Sequence, residues 1–201
     1  MTSTSESGSL ASRRFVLRKL HSLTGVVPVG AFLVTHLAST SVALSGQEAF
    51  ERSFRDERAS PYRLVVEIVF VLLPLAFHAG YGVLLSIGPR YNVGPHPYSR
   101  NWMYAAQRVT GIMALAFIVW HVSELWLPRV AGDLPEEAYY PTLCKSLATT
   151  QGGVPTIALL YILGIAASVF HFANGLWGFC VSWGITVSRR SQRVSATVFG
   201  I

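Results

Sequence analysis

Four histidines carry the chemistry legible in this sequence: His36, His78, His121 and His171, each inside a long apolar run. Imidazole is the commonest metal ligand among side chains. An ionisable group inside hydrocarbon is costly and marks a functional site, so one in each run needs a cause. His36 lies eight residues before Leu44 and His121 seven before Pro128, while His78 and His171 lie sixteen after Tyr62 and Pro155. Counted from the outer ends of the runs, two histidines are shallow and two are deep. At about 1.5 Å per helical residue the layers are roughly 12–14 Å apart. Histidines at equal depth on different helices can face one another, which predicts the pairs His36/His121 and His78/His171. Two neutral imidazoles on opposite sides of an iron give a six-coordinate haem that passes electrons and has no open position for oxygen. A packing or hydrogen-bonding role is the plainer reading of any single intramembrane histidine. A non-haem di-metal site would want its ligands clustered at one depth.

The contexts of the histidines repeat in the same pairs. Ala31-Phe-Leu-Val-Thr-His36 parallels Ala116-Phe-Ile-Val-Trp-His121. Phe77-His78 is followed by Gly82, and Phe170-His171 by Gly175, in each case four residues after the histidine. Residues i and i+4 share a helix face, so each glycine is expected to leave room for a flat macrocycle beside its histidine.

The runs that hold these residues extend over about residues 20–44, 62–87, 102–127 and 155–187. About 20 residues span the hydrocarbon core, and the backbone there must satisfy its own hydrogen bonds. The fold expected is therefore all-α: a membrane bundle of four transmembrane helices, kinked at Pro28 and Pro74. Composition agrees, with 201 residues, 51% hydrophobic, only 13% charged and a mean hydropathy of +0.43. The net charge of +6 is spread between the runs, not gathered in a patch, so nucleic-acid binding is set aside. Acid-free basic flanks (Arg13, Arg14, Arg18 and Lys19; Arg90 and Arg100; Arg189, Arg190 and Arg193) alternate with mixed loops, which puts the N-terminus and the loop 88–101 in the cytoplasm. Cys144 and Cys180 make no CxxC or CxxCH, so neither a bound iron–sulfur cluster nor a covalent c-type haem is expected. Residues 1–12 are small and polar and read as a disordered tail, leaving residues 13–201 as the membrane domain.

Further candidates flank the histidines. His21 and Ser22, with Arg18, Arg108 and Trp102, lie where inner haem propionates would emerge; interfacial anchoring is the plainer reading of each. Glu67 and Glu124, on the outer side, are candidates for proton handling at a quinone, whose reduction takes two electrons and two protons. Snorkelling, or pairing with Arg63 or Arg129, is the alternative for them.

At these residues the chain resembles the cytochrome b558 di-haem membrane anchors of bacterial succinate:menaquinone oxidoreductases, a type shared with some fumarate reductases. The resemblance covers nearly all of residues 13–198. It rests on Arg18-Lys-Leu-His-Ser-Leu-Thr-Gly25, Arg100-Asn-Trp102, Gln107-Arg-Val-Thr-Gly111, Trp120-His121, His171-Phe-Ala-Asn-Gly-Leu-Trp177 and Val181-Ser-Trp-Gly-Ile-Thr186. The steps of 42 and 43 residues between the first three histidines fit as well. The resemblance implies two haems b, the deep pair (His78/His171) receiving electrons from a cytoplasmic iron–sulfur subunit that itself binds a flavoprotein. It also implies menaquinone reduction near the shallow pair (His36/His121), in the bacterial inner (plasma) membrane. Such anchors have a fifth helix, and the sequence holds no fifth apolar run before Ile201. Some fumarate reductases of this type carry a glutamate two residues before the fourth ligand; Val169 stands there, which favours succinate oxidation. The histidine geometry alone also allows an anchor for a hydrogenase or formate dehydrogenase, and a haem-free structural anchor is the reading from another class.

Overall fold

The computed structural model describes residues 3–55, 60–87 and 93–199. Of the residues named above, Arg90 and Ile201 lie outside these, as do residues 88–92 of the loop 88–101. The described residues are helical and contain no strand beyond an isolated bridge between Gln151 and Val154. Four stretches among them are long and apolar enough to cross a membrane: Leu10–Ser45, Arg63–Ile87, Ser99–Ala131 and Thr156–Ser182.

Proline shapes the first three spans. In the first, helix α1 (Ser3–Val26) stops at Val27, and Pro28 opens helix α2 (Pro28–Ser41), where its missing N–H costs nothing. α1 begins at Ser3, inside the stretch expected to be a disordered tail; no proline interrupts the backward growth of the helix, and each added turn needs no new nucleus. Helix α3 (Gln47–Ser53) lies in the first loop. In the second span a π-helical segment, Glu67–Leu72, precedes helix α4 (Leu73–Ile87). Pro74 cannot donate to the carbonyl of Phe70, so the bonding pattern widens in the turn before it. The third span repeats the device: helix α5 (Ser99–His121) passes into a π segment, Val122–Trp126, just before Pro128. Helix α6 (Tyr139–Ala148) lies in the next loop, where the buried Phe50 packs its ring 5.9 Å from Tyr140.

The fourth span, α7 (Thr156–Ser182), is uninterrupted and ends at Ser182, short of Val187. Gly184 adopts φ 73°, and the amide of Ile185 returns to the carbonyl of Cys180 at 2.9 Å, which closes the helix. A last helix, α8 (Arg189–Phe199), is opened by Ser188 and Ser191, each of whose hydroxyls accepts the other's backbone amide. Its 11 residues are not among the four long apolar stretches.

The chain divides into two compact units: one of Met1–Phe32, Val66–Arg90 and Phe172–Ile201, the other of Leu33–Val65 and Tyr91–His171. In the first unit the ends of the first and fourth spans are clasped together. Lys19 donates to the carbonyl of Ser182 and stands 4.8 Å over the Trp183 ring, whose indole N–H donates to the Ser22 hydroxyl at 3.0 Å. Large apolar side chains such as Phe70, Leu84 and Ile162 are more than 60% exposed, whereas Ala114, Ala167, Ser168 and Asn174 are buried. Small and polar residues at helix contacts with apolar residues outside is the pattern of a protein solvated by lipid.

Candidate functional site

His78 belongs to the first unit. Its Nδ1 is 2.9 Å from the carbonyl oxygen of His21, and its ring lies flat on the His21 ring, 4.1 Å away and tilted by 7°. A carbonyl only accepts, so in the neutral ring Nδ1 carries the proton and Nε2 is the basic nitrogen. Gly25, one turn beyond His21, lies against the imidazole: a Cβ there would sit 2.3 Å from Cε1 of His78.

His171 belongs to the second unit, and its seat is built the same way. Nδ1 is 2.9 Å from the carbonyl oxygen of Gln107, and a Cβ on Gly111, one turn further, would sit 2.8 Å from Cε1. The Gln107 amide donates to the carbonyl of His171 at 3.0 Å, which ties the fourth span to the third. The two seats lie in parallel sequences, His21-Ser-Leu-Thr-Gly25 and Gln107-Arg-Val-Thr-Gly111.

His36 and His121, both in the second unit, approach each other edge to face with ring centroids 6.0 Å apart. His121 is framed by aromatic rings: Phe117 stacks at 5.7 Å, and Tyr161 stands edge-on with its hydroxyl 3.3 Å from Nδ1. His78 and His171 fall in different units, so each is defined by its own seat. Among the described residues no three His, Cys, Asp or Glu side chains gather around one point. A haem needs only two protein ligands, and neutral imidazoles whose Nδ1 is held by a backbone carbonyl are a donor set that fits its axial positions.

The flanking candidates fall in several settings. His21 lies against His78, and Gly82, expected to make room for a macrocycle, faces the His21 ring instead, with a Cβ position 3.1 Å from its Cε1. Ser22 is engaged by Trp183, and Arg18 is exposed. Arg108 is buried under the Tyr104 ring at 5.5 Å, while Trp102 is exposed. Glu67 opens the π segment of the second span, and Glu124 lies within that of the third, exposed. Such segments are rare and recur at functional sites. Sequence reasoning passed over Gly25 and Gly111, the carbonyls of His21 and Gln107, and Tyr161. The repeated Thr-Gly pair, with His or Gln three residues before the threonine, was the available signal.

Comparison with known proteins places this arrangement. The profile of the succinate dehydrogenase/fumarate reductase transmembrane subunit family matches residues 86–201, more than half of the chain. The chain belongs to that family. It is 42% identical over 187 residues, 93% of this chain and 89% of the relative, to the succinate dehydrogenase cytochrome b558 subunit of Bacillus subtilis (strain 168). No solved structure matches the chain at a significant level. As a member of the succinate dehydrogenase/fumarate reductase transmembrane subunit family, the chain is a multi-pass protein of the inner (plasma) membrane, and its four apolar spans are the membrane-crossing elements.

Proposed function

We propose that this chain is the di-haem membrane anchor of a succinate dehydrogenase. It would carry electrons from an iron–sulfur subunit, itself joined to a flavoprotein, on the cytoplasmic face to menaquinone near the outer face. The observation that carries the reading is the pair of like seats, each with a backbone carbonyl 2.9 Å from Nδ1, which makes Nε2 the basic nitrogen of both His78 and His171; the Gln107 side-chain amide lies 3.5 Å from Nε2 of His171. Two haems b, when bound, supply one-electron transfer without an open coordination position.

The chain's own residues have distinct tasks in this reading. His78 and His171 rest on residues near the N-terminal ends of the first and third spans and form the inner ligand pair; His36 and His121 form the outer one. His21, Ser22, Arg18, Arg108 and Trp102 would hold the propionates, of which the buried Arg108 guanidinium is the strongest counter-charge. Glu67 and Glu124 would exchange protons with the quinone, and the widened π turns set the direction of their side chains. The basic, acid-free flanks hold the N-terminus in the cytoplasm. Succinate oxidation is favoured over fumarate reduction because Val169 offers no group to carry protons across.

The test is a reduced-minus-oxidised spectrum of the purified complex with haem quantified per chain, repeated for His→Ala at each of the four positions. The expected result is two haems b unaffected by carbon monoxide, with H78A and H171A removing one signal and H36A and H121A the other. A complex without haem would leave a purely structural anchor. Loss of one signal on both H36A and H78A would overturn the pairing.

A further inference from the structure

A helical carbonyl already accepts the amide four residues on, and its second lone pair is normally shielded by the side chain at that same position. Glycine at position i+4 removes the shield. In both seats the residue four after the accepting carbonyl is glycine: Gly25 after His21 and Gly111 after Gln107. In both, the residue before the glycine is a threonine whose hydroxyl is shared between that carbonyl and the one before it: Thr24 lies 3.0 Å from the His21 carbonyl and 2.9 Å from that of Leu20, and Thr110 lies 3.3 Å from the Gln107 carbonyl and 2.7 Å from that of Ala106. Each imidazole is thus held in two ways. The carbonyl fixes the proton on Nδ1, and the glycine Hα face fixes how closely the ring approaches the helix.

We propose that the two x-x-x-Thr-Gly turns, His21–Gly25 and Gln107–Gly111, are copies of one positioning device that sets the tautomer and rotation of the inner ligands His78 and His171. The inference rests on the reading of those histidines as haem ligands and adds residues that touch only the ligands. Gly25 and Gly111 act through the imidazole and are positioning residues. The device differs from the environment of His121, whose Nδ1 meets a phenol in place of a carbonyl. It also assigns a cause to two glycines that no turn or positive φ requires.

The position of each clash gives the test. A methyl at Gly25 would overlap Cε1 and Nδ1 of His78 at 2.3 and 2.6 Å, and one at Gly111 would meet the same atoms of His171 at 2.8 and 3.0 Å. Gly80, two residues from His78 on the same helix, has nothing within 4 Å of its Cβ position and serves as a control. G25A, G111A and G80A are made in the intact complex, with T24V and T110V as isosteric variants that only withdraw the hydroxyl. Haem content, the visible spectrum and the ferric low-spin EPR signals are recorded, and subunit composition and thermal unfolding report assembly.

G25A and G111A are expected to weaken retention of the haem that H78A and H171A remove by roughly 10–100-fold, the usual effect of disturbing a ligand's outer partner, or to shift its EPR g-values. G25A, with the closer contact, should act more strongly. T24V and T110V should shift the same EPR signal with haem content kept, and G80A should leave both haems unchanged. Wild-type signals in G25A and G111A, with H78A and H171A still removing a haem, would overturn the seat alone. Should G25A or G111A fail to assemble, unaltered EPR signals in T24V and T110V would overturn it. A wild-type complex without haem would overturn the ligand reading and the seat together.

Discussion

The Tyr161 hydroxyl stands 3.3 Å from Nδ1 of His121, where the inner candidate ligands find backbone carbonyls. A partner on Nδ1 makes an imidazole a stronger donor and favours the oxidised iron. Tyr161→Phe should therefore raise the midpoint potential of the haem lost in H121A by about a few tens of millivolts, the redox equivalent of one weak hydrogen bond. The other haem should not move; redox titration followed by optical spectroscopy reads both. Nearby, a Cβ at Gly164 would sit 2.2 Å from Cγ of the buried Phe117. Gly164→Ala should cost about 1–3 kcal/mol through overpacking, seen as earlier thermal unfolding in detergent. The four histidines were legible because a polar residue in an apolar run stands out. The carbonyls of His21 and Gln107 were not, because every residue type carries one. Only the glycines that uncover them leave a trace in sequence, and a glycine in a membrane helix has many possible causes.

At the scale of the element, the spans and the disturbance at Pro28 and Pro74 are consequences of length and of the missing amide. The π segments are not legible in this way, because runs that are apolar all round reveal no preferred face for the eye to see slip. Each widened turn holds one residue more than an α-helix would, and so rotates the helix on its N-terminal side by about 100° relative to the helix on its C-terminal side. Pro74→Ala should let Glu67–Leu72 return to α-helical bonding and turn Glu67 away from its present direction relative to His78. Under the proposed function, quinone reduction should fall by up to roughly 100-fold while haem content stays at wild type, since misplacement by an ångström or so already costs that much. Steady-state quinone reduction together with a haem assay decides this, and unchanged turnover would remove the π turn from the mechanism. Helix α8 went unseen for a related reason. Its apolar residues alternate with arginine, serine and glutamine and make no continuous apolar run to mark it.

For the whole molecule, orientation rests on arginines and lysines, and the two cysteines can test it. Cys144 is exposed on α6, in the loop assigned to the outer side, whereas Cys180 lies two residues from the inner end of the fourth span. A membrane-impermeant maleimide added to intact cells should label Cys144, and Cys144→Ser should abolish the labelling. Labelling only after lysis would invert the topology. Counting from the span ends pairs His36 with His121, and their rings lie 6.0 Å apart. The division into two units was not legible, because its boundaries at 32/33, 65/66 and 171/172 fall inside helices where no change of composition announces them.

The clasp of Lys19 and Ser22 with Ser182 and Trp183 makes the order of the spans, in connectivity, close to a ring. Such a ring has no privileged starting point. A circular permutant opened at Gly152–Gly153, in the exposed loop before the fourth span, with residue 187 linked to residue 13, would keep both histidine seats and the clasp. It would begin on the opposite side of the membrane. Its assembly would show whether the architecture depends on which span enters the bilayer first, or only on which spans finally meet.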